Sequence, residues 1–330
     1  MKNKYFYKIT LFLAIILLCA CSNNAKRAKA GQEAKENKEF LDSYDFIRLN
    51  KTRLGLTDPR GFVVVDNKIY MVDAGENSVN IFDLDFKPIK KLEGKDMQLK
   101  KPADIDFYED KFYIADIKDN NIKIYDKDFK LINSINLREK HDMNYGEPTY
   151  IKVNAKGIYI AYECVIKEAA FIDKYFEDGR QQIGKLFWGS LTKGGNDIFA
   201  ANRGTHFEGP FMNFKHVEGF KSGKANLLKI ENNKVNELTK LEEGLMPLAL
   251  CANEENIYIL TSDCKINEFS KDGEFKRTLF SDSFKPKFEV EKSSNYMQIY
   301  KDRLYINFVK YNTDDESKNQ AVENILVLDI

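Results

Sequence analysis

One short phrase recurs through almost the whole of this 330-residue chain. It reads Ile69-Tyr70-Met71-Val72-Asp73, then Phe112-Tyr113-Ile114-Ala115-Asp116, then Ile158-Tyr159-Ile160-Ala161. Weaker copies follow at Ile198-Phe199-Ala200-Ala201, Ile257-Tyr258-Ile259-Leu260 and Leu304-Tyr305-Ile306-Asn307. Branched and aromatic residues in such runs favour extended strands. Six copies, most with a period in the forties, mean that one small unit is built over and over. A unit of that size cannot bury its own apolar faces and must stack on its neighbours.

The residues around the phrase resolve the unit into four strands. A proline stands 11 residues before the phrase's aromatic in four copies, at Pro59, Pro102, Pro148 and Pro247. Proline at the head of a strand costs little, because its missing N–H is not yet needed in the ladder. Apolar residues follow three positions later (Phe62, Ile105, Ile151, Leu250) and five positions later (Val64, Phe107, Val153, Ala252), on one face of a first strand. A turn leads into the phrase, which is the second strand. Val79-Asn80-Ile81-Phe82-Asp83 and Ile122-Lys123-Ile124-Tyr125-Asp126 are third strands, each followed by an Asp-rich turn, Asp83 to Lys87 and Asp126 to Lys130. Those turns lack the ligand register of a calcium loop and read as hairpin chemistry. A fourth strand follows, as in Leu131-Ile132-Asn133-Ser134-Ile135.

The predicted fold is therefore all-β: a six-bladed β-propeller of four-stranded antiparallel blades. An α/β enzyme would need amphipathic helical stretches between strands, and none is seen. The last repeat ends on its third strand, Ile325 to Ile330, so its fourth must come from elsewhere. Tyr44-Asp45-Phe46-Ile47-Arg48-Leu49 alternates suitably and is predicted to close the ring as the outer strand of the sixth blade.

The blade resembles the NHL-type repeat in its Pro-x-x-apolar lead, its Ile-Tyr-Ile-Ala-Asp second strand and its Asp-turn after the third strand. The resemblance is good over residues 57–162. It weakens in the fourth and sixth copies, where Trp188 and Ser294 stand in the proline's place.

The amino terminus sets an expectation about compartment. Lys2, Lys4 and Lys8 precede an apolar run from Ile9 to Leu18, which has the form of an export signal and is short for a membrane span. Leu18-Cys19-Ala20-Cys21 then resembles the lipobox of bacterial lipoproteins. The resemblance implies that residues 1–20 are removed and that Cys21 receives diacylglycerol and an acyl chain such as palmitate. That would hold the protein to a membrane of the cell envelope, on the extracytoplasmic side. Residues 21–39 are rich in Ala, Lys, Glu and Asn and read as a flexible tether, with the propeller occupying 40–330.

Without residues 1–20 the chain carries 48 basic against 51 acidic residues. No basic stripe with interleaved aromatics is present, which argues against nucleic acid. Cys164, Cys251 and Cys264 remain. Cys251 and Cys264 fall in one blade and could pair; the favoured reading is buried free thiols. No nucleophile elbow, zinc-peptidase helix motif, phosphate loop or zinc-spaced cysteine pair occurs, so no catalytic residue, metal or cofactor is assigned.

Binding residues are sought where propellers generally take ligands, on the face that holds the loops between second and third strands and the links between blades. The largest such loop, Asn202 to Gly223, holds glycines, phenylalanines and Arg203, His206 and Phe207. Long loops in compact domains are often functional, and Arg203 could clamp a carboxylate or phosphate. Arg60, Lys101, Asp104 and Glu147, beside the first-strand prolines, complete the candidate set, although such residues can equally cap strands and tie blades together. The function expected is a monomeric ligand- or protein-binding module without catalysis, its partner an envelope protein or a small polar ligand. The alternative is a metal-dependent, lactonase-like hydrolase acting through the central channel.

Overall fold

In the computed structural model of the protein, the described residues are 46–137, 147–163, 170–176, 179–186, 189–202, 225–242, 245, 247–261, 265–280, 295–308 and 323–330. Phe46–Asn50 is β1, followed by a 3₁₀ turn at Lys51–Leu54. Blade one is β2 (Pro59–Val65), β3 (Lys68–Asp73), β4 (Ser78–Asp83) and β5 (Pro88–Leu92). Blade two is β6 (Pro102–Tyr108), β7 (Lys111–Asp116), β8 (Asn121–Asp126) and β9 (Leu131–Asn136). Blade three is β10 (Glu147–Asn154), β11 (Gly157–Glu163), β12 (Ala170–Phe176) and β13 (Gly179–Leu186). Blade four is β14 (Ser190–Gly194), β15 (Asp197–Asn202), β16 (Asn226–Glu231) and β17 (Lys234–Lys240). Blade five is β18 (Pro247–Ala252), β19 (Asn256–Thr261), β20 (Ile266–Ser270) and β21 (Phe275–Phe280). Blade six is β22 (Asn295–Tyr300), β23 (Arg303–Phe308) and β24 (Glu323–Asp329), with β1 as its fourth strand. Every pairing is antiparallel, and the first strands β2, β6, β10, β14, β18 and β22 touch one another in sequence and back to β2. This is the six-bladed propeller that the repeat predicts.

The lead proline leaves a mark on the ladder. In the four proline-led strands the register slips just after it, between Pro59 and Phe62, Pro102 and Asp104, Pro148 and Tyr150, and Pro247 and Ala249. β14 and β22, whose corresponding positions hold Trp188 and Ser294, pair without a slip over their described residues. A bulge absorbs the bond that proline cannot donate and turns the following side chain.

The core lies between blades. Phe62, Ile69 and Met71 join Tyr305, Ile325 and Val327 between blades one and six. Val63, one position on, faces the other way and joins Ile105, Ile114 and Tyr125 of blade two. The Asp-turns help to lock these faces. The Asp83 carboxylate accepts Asp85 N–H at 3.0 Å and Lys87 N–H at 2.8 Å, and Asp126 does the same with Asp128 at 3.0 Å and Lys130 at 2.9 Å. Phe86 and Phe129 take positive φ (60° and 64°), which swings their rings into the neighbouring interface. Phe129 stacks on Phe112 at 4.3 Å and on Tyr70 of blade one at 5.8 Å, which offsets the cost of the left-handed backbone.

Closure is built from both ends of the chain. β1 pairs with β24 from Phe46↔Leu328 to Leu49↔Ile325, in the strand position expected from the sequence, although Tyr44 and Asp45 lie outside the described residues. On the inner side, Asn307 Nδ2 donates to the carbonyls of Pro59 and Arg60 at 2.9 and 2.7 Å. Arg303 bridges blade six to Asp85 of blade one at 2.8 Å. Deleting residues 40–50 should lower the melting temperature by on the order of 10 °C, because it strips the partner from β24 and opens the ring. Calorimetry of the truncated chain checks this, and an unshifted melt would show that β1 is dispensable.

Candidate functional site

First strands begin and second strands end on one face of the ring, the loop face. The two-residue hairpins lie on the opposite, turn face. The aspartate that ends the repeated phrase is the fastener of the loop face. Asp73 accepts N–H bonds from Thr57 (2.7 Å) and Asp58 (2.9 Å), just before β2, and from Gly75 (2.9 Å) and Glu76 (3.2 Å), just after β3. Asp116 likewise accepts Lys100 N–H at 2.9 Å and holds the buried Lys123 ammonium at 2.8 Å, with Asp119 at 3.0 Å and the Gln98 carbonyl completing the clasp. In blades three to six the same position holds Tyr162, Asn202, Thr261 and Phe308. Of those blades, three, four and six carry longer connections after the second strand, while blade five keeps a four-residue one, 262–265, like blades one and two.

The axis of the ring is occupied. The position two residues past the lead proline, or past the residue in its place, holds Gly61, Asp104, Tyr150, Ser190, Ala249 and Tyr296. Tyr150 and Tyr296 belong to opposite blades, and their rings meet at 5.1 Å between centroids, both buried. The Tyr296 hydroxyl donates to the Thr149 carbonyl at 3.2 Å. Asp104 is fully buried, and its carboxylate accepts Lys152 Nζ at 2.7 Å, Ile151 N–H at 3.0 Å and Ile105 N–H at 2.9 Å. Gly61 lies so close that a Cβ there would overlap this carboxylate, so only glycine fits. Asp106 accepts Val153 N–H at 2.6 Å and pairs with Lys193 Nζ at 2.8 Å. Lys193 also donates to Phe107 O at 2.7 Å and Val153 O at 3.2 Å, so one ammonium ties blades two, three and four.

Burial pushes the Asp104 carboxyl up to about 6, against the opposing pull of Lys152 and the Ile151 amide. Asp173, paired with Arg180 at 2.8 Å, is raised to about 6 for the same reason. Cys251 is a buried free thiol, and burial holds its ionisation well above the usual range. Cys164 and Cys264 lie outside the described residues.

Two of the expected binding residues are therefore engaged inside the ring. Arg60 is buried and grips Asp58 through Nε (3.2 Å) and Nη2 (3.0 Å), and Asp104 belongs to the axial network. Lys101 and Glu147 stand just before Pro102 and Pro148 on the rim of adjacent blades, half-buried and exposed respectively. Arg203, His206, Phe207 and the rest of their loop past Asn202 lie outside the described residues, as do Cys21 and the tether. Sequence reasoning passed over Asp106, Tyr150, Lys152, Lys193 and Tyr296. The visible signal was the shared register of Tyr150 and Tyr296, both two residues past the lead position.

No family model matches the chain, and no curated protein matches it. Solved structures do share the fold. Virginiamycin B lyase from Staphylococcus aureus, solved with quinupristin as a catalytically inactive variant, is one of them. It is 14% identical, with a TM-score of 0.52 over 87% of this chain and 99% of that one. Regucalcin from Agrobacterium tumefaciens, described as calcium-binding, is 11% identical, with a TM-score of 0.53 over 83% of this chain and 90% of that one. A Bacteroides fragilis protein described as exported is 10% identical, with a TM-score of 0.51 over 87% of this chain and 94% of that one. At these identities the likeness is one of fold, and it places the chain among six-bladed propellers.

Two outcomes follow for the axial network. Lys152→Met leaves the buried Asp104 without its cation and should cost about 3–5 kcal/mol in chemical unfolding; a neutral result would remove the pair from the scaffold. The folded-state value near 6 for Asp104 lies above the unfolded value of about 4. The folded protein therefore takes this proton first on acidification. The group's contribution to stability is fully present below pH 4 and is lost as pH rises through 6. Its slope is at most about 1.4 kcal/mol per pH unit. Unfolding of wild type and Asp104→Asn at pH 5 and pH 7 should show a smaller pH dependence in the variant.

Proposed function

We propose that this protein is a lipid-anchored, extracytoplasmic propeller of NHL-like blades that binds a partner on its loop face without catalysis. The observation that carries this reading is the filled axis. Asp104 and Asp106 are spent on Lys152, Lys193 and backbone amides, and Tyr150 and Tyr296 close the passage between them. A channel-based hydrolase would need axial carboxylates aimed at substrate, and these are aimed at neighbouring blades. Recognition then falls to the rim, where Lys101 and Glu147 offer opposite charges on adjacent blades, and to the loop with Arg203, His206 and Phe207. Exposed charges of both signs suit a polar or zwitterionic ligand, or a protein surface of mixed charge.

Membrane attachment rests on the Leu18-Cys19-Ala20-Cys21 sequence after its basic and apolar lead. Cys21→Ser should abolish labelling of the protein by palmitate and move it from the membrane to the soluble fraction of the envelope. Unchanged labelling and fractionation would overturn the anchor. Site-directed photocross-linkers at Lys101 and Glu147 should capture a partner that crosslinkers on the turn face at Lys87 and Lys127 do not. Equal capture from both faces would overturn the loop-face assignment.

A further inference from the structure

On the turn face, a groove of about 770 Å³ opens between blades two and three. Its volume falls within the range of small-molecule sites. The floor is aromatic: Tyr113 and Tyr175 are nearly buried there. The walls carry two of the four large apolar side chains that are exposed among the described residues, Phe176 and Ile132. Ile132 is there for a local reason. The register between β8 and β9 slips between Ile124↔Asn133 and Tyr125↔Leu131, leaving Ile132 as the unpaired residue of a bulge. At Gly179 nothing among the described residues lies within 4 Å of where a Cβ would stand.

The corresponding gap between blades six and one is smaller, about 400 Å³, and is bridged by Arg303, which binds Asp85 at 2.8 Å and Asp329 at 2.7 Å. Lys111 holds the register position of Arg303 in blade two, opposite Tyr108 as Arg303 is opposite Tyr300. Its cross-strand neighbour Asp126 has given a carboxylate oxygen to the turn amides of Asp128 and Lys130. Lys111 makes no ion pair among the described residues, and neither does Lys156, which lines the groove from blade three. Lys174 lies beside them, over the ring of Phe176 at 4.5 Å, its ammonium committed to Asn233 at 2.8 Å. Glu109 is the one carboxylate among the described lining residues.

We propose that this groove binds an amphipathic carboxylate, its apolar body on Tyr113, Phe176 and Ile132 and its head group at Lys111 and Lys156. The aromatic floor supplies the hydrophobic contact. The two unpaired ammoniums supply charge-assisted bonds that a neutral or cationic ligand of the same shape cannot use. This site is independent of the loop-face reading and lies on the opposite side of the ring.

The test uses the full-length protein and 1-pyrenebutyrate, a fluorescent aromatic carboxylate, followed by fluorescence anisotropy. Saturable single-site binding is expected, displaced by dodecanoate and not by dodecylamine. The double variant Lys111→Glu/Lys156→Glu changes two exposed side chains and should weaken binding about tenfold or more at an unchanged melting temperature. Phe176→Ser should weaken it by a similar factor through lost stacking. The proposal is overturned if pyrenebutyrate does not saturate a single site, if the neutral pyrenebutanol binds as tightly, or if the lysine variant retains wild-type affinity.

Discussion

Every sheet of this ring depends on one topological constraint: each blade buries its faces only against its two neighbours. The faces of a single blade cannot be hidden by the blade itself, so an open array would leave two apolar surfaces and two raw edges in water. Joining β1 to β24 removes the problem at the outer edge, where residues some 280 positions apart share a ladder. The inner edge is joined separately, by Asn307 on the carbonyls of Pro59 and Arg60. The joint thus has a backbone seam outside and a side-chain clasp inside, with the Phe62 to Tyr305 apolar face between them. The other five joints form between sequence neighbours, and only this one carries the full cost of long-range closure.

The axial network follows from the same geometry. First strands touch one another around the axis, and amides buried there need partners. Carboxylates from β6 reach the amides of β10, and lysines from β10 and β14 neutralise those carboxylates. The raised ionisation of Asp104 shows that desolvation outweighs the attraction of its partner. Such a network adds little net stability over an apolar filling, and its value lies in fixing which strand meets which amide. Tyr150 and Tyr296 complete the filling from opposite sides.

Much of this was legible in the residues, for reasons that differ by element. The six phrases, the lead prolines and the Asp-turns are local, each written within a few positions, so period and turn chemistry exposed them. The closing strand was legible because the sixth repeat stops one strand short. The axial pairs were not, because Lys193 meeting Phe107, or Tyr296 meeting Thr149, joins positions 86 and 147 apart with no shared local pattern. Arg60 and Asp104 illustrate the same limit: their position beside the channel was readable, and their commitment to Asp58 and Lys152 was not. The candidate residues Arg203, His206 and Phe207 stay a sequence expectation, since their loop lies outside the described residues.

The repeat also encodes where it gives way. In blades one and two the phrase ends in Asp73 and Asp116, and each carboxylate pulls together the start of the first strand and, for Asp73, the turn after the second. Four amides on one side chain leave no room for a long connection at that point. Where Tyr162, Asn202 or Phe308 replaces the aspartate the connection is longer; at Thr261 it stays at four residues, with the Thr261 hydroxyl donating to the Lys265 carbonyl at 3.1 Å. The turn face shows the same logic with opposite consequence. Arg303 bridges blades six and one through Asp85 and Asp329, whereas Lys111, at the same register position, makes no ion pair among the described residues and its neighbour Asp126 accepts the hairpin amides.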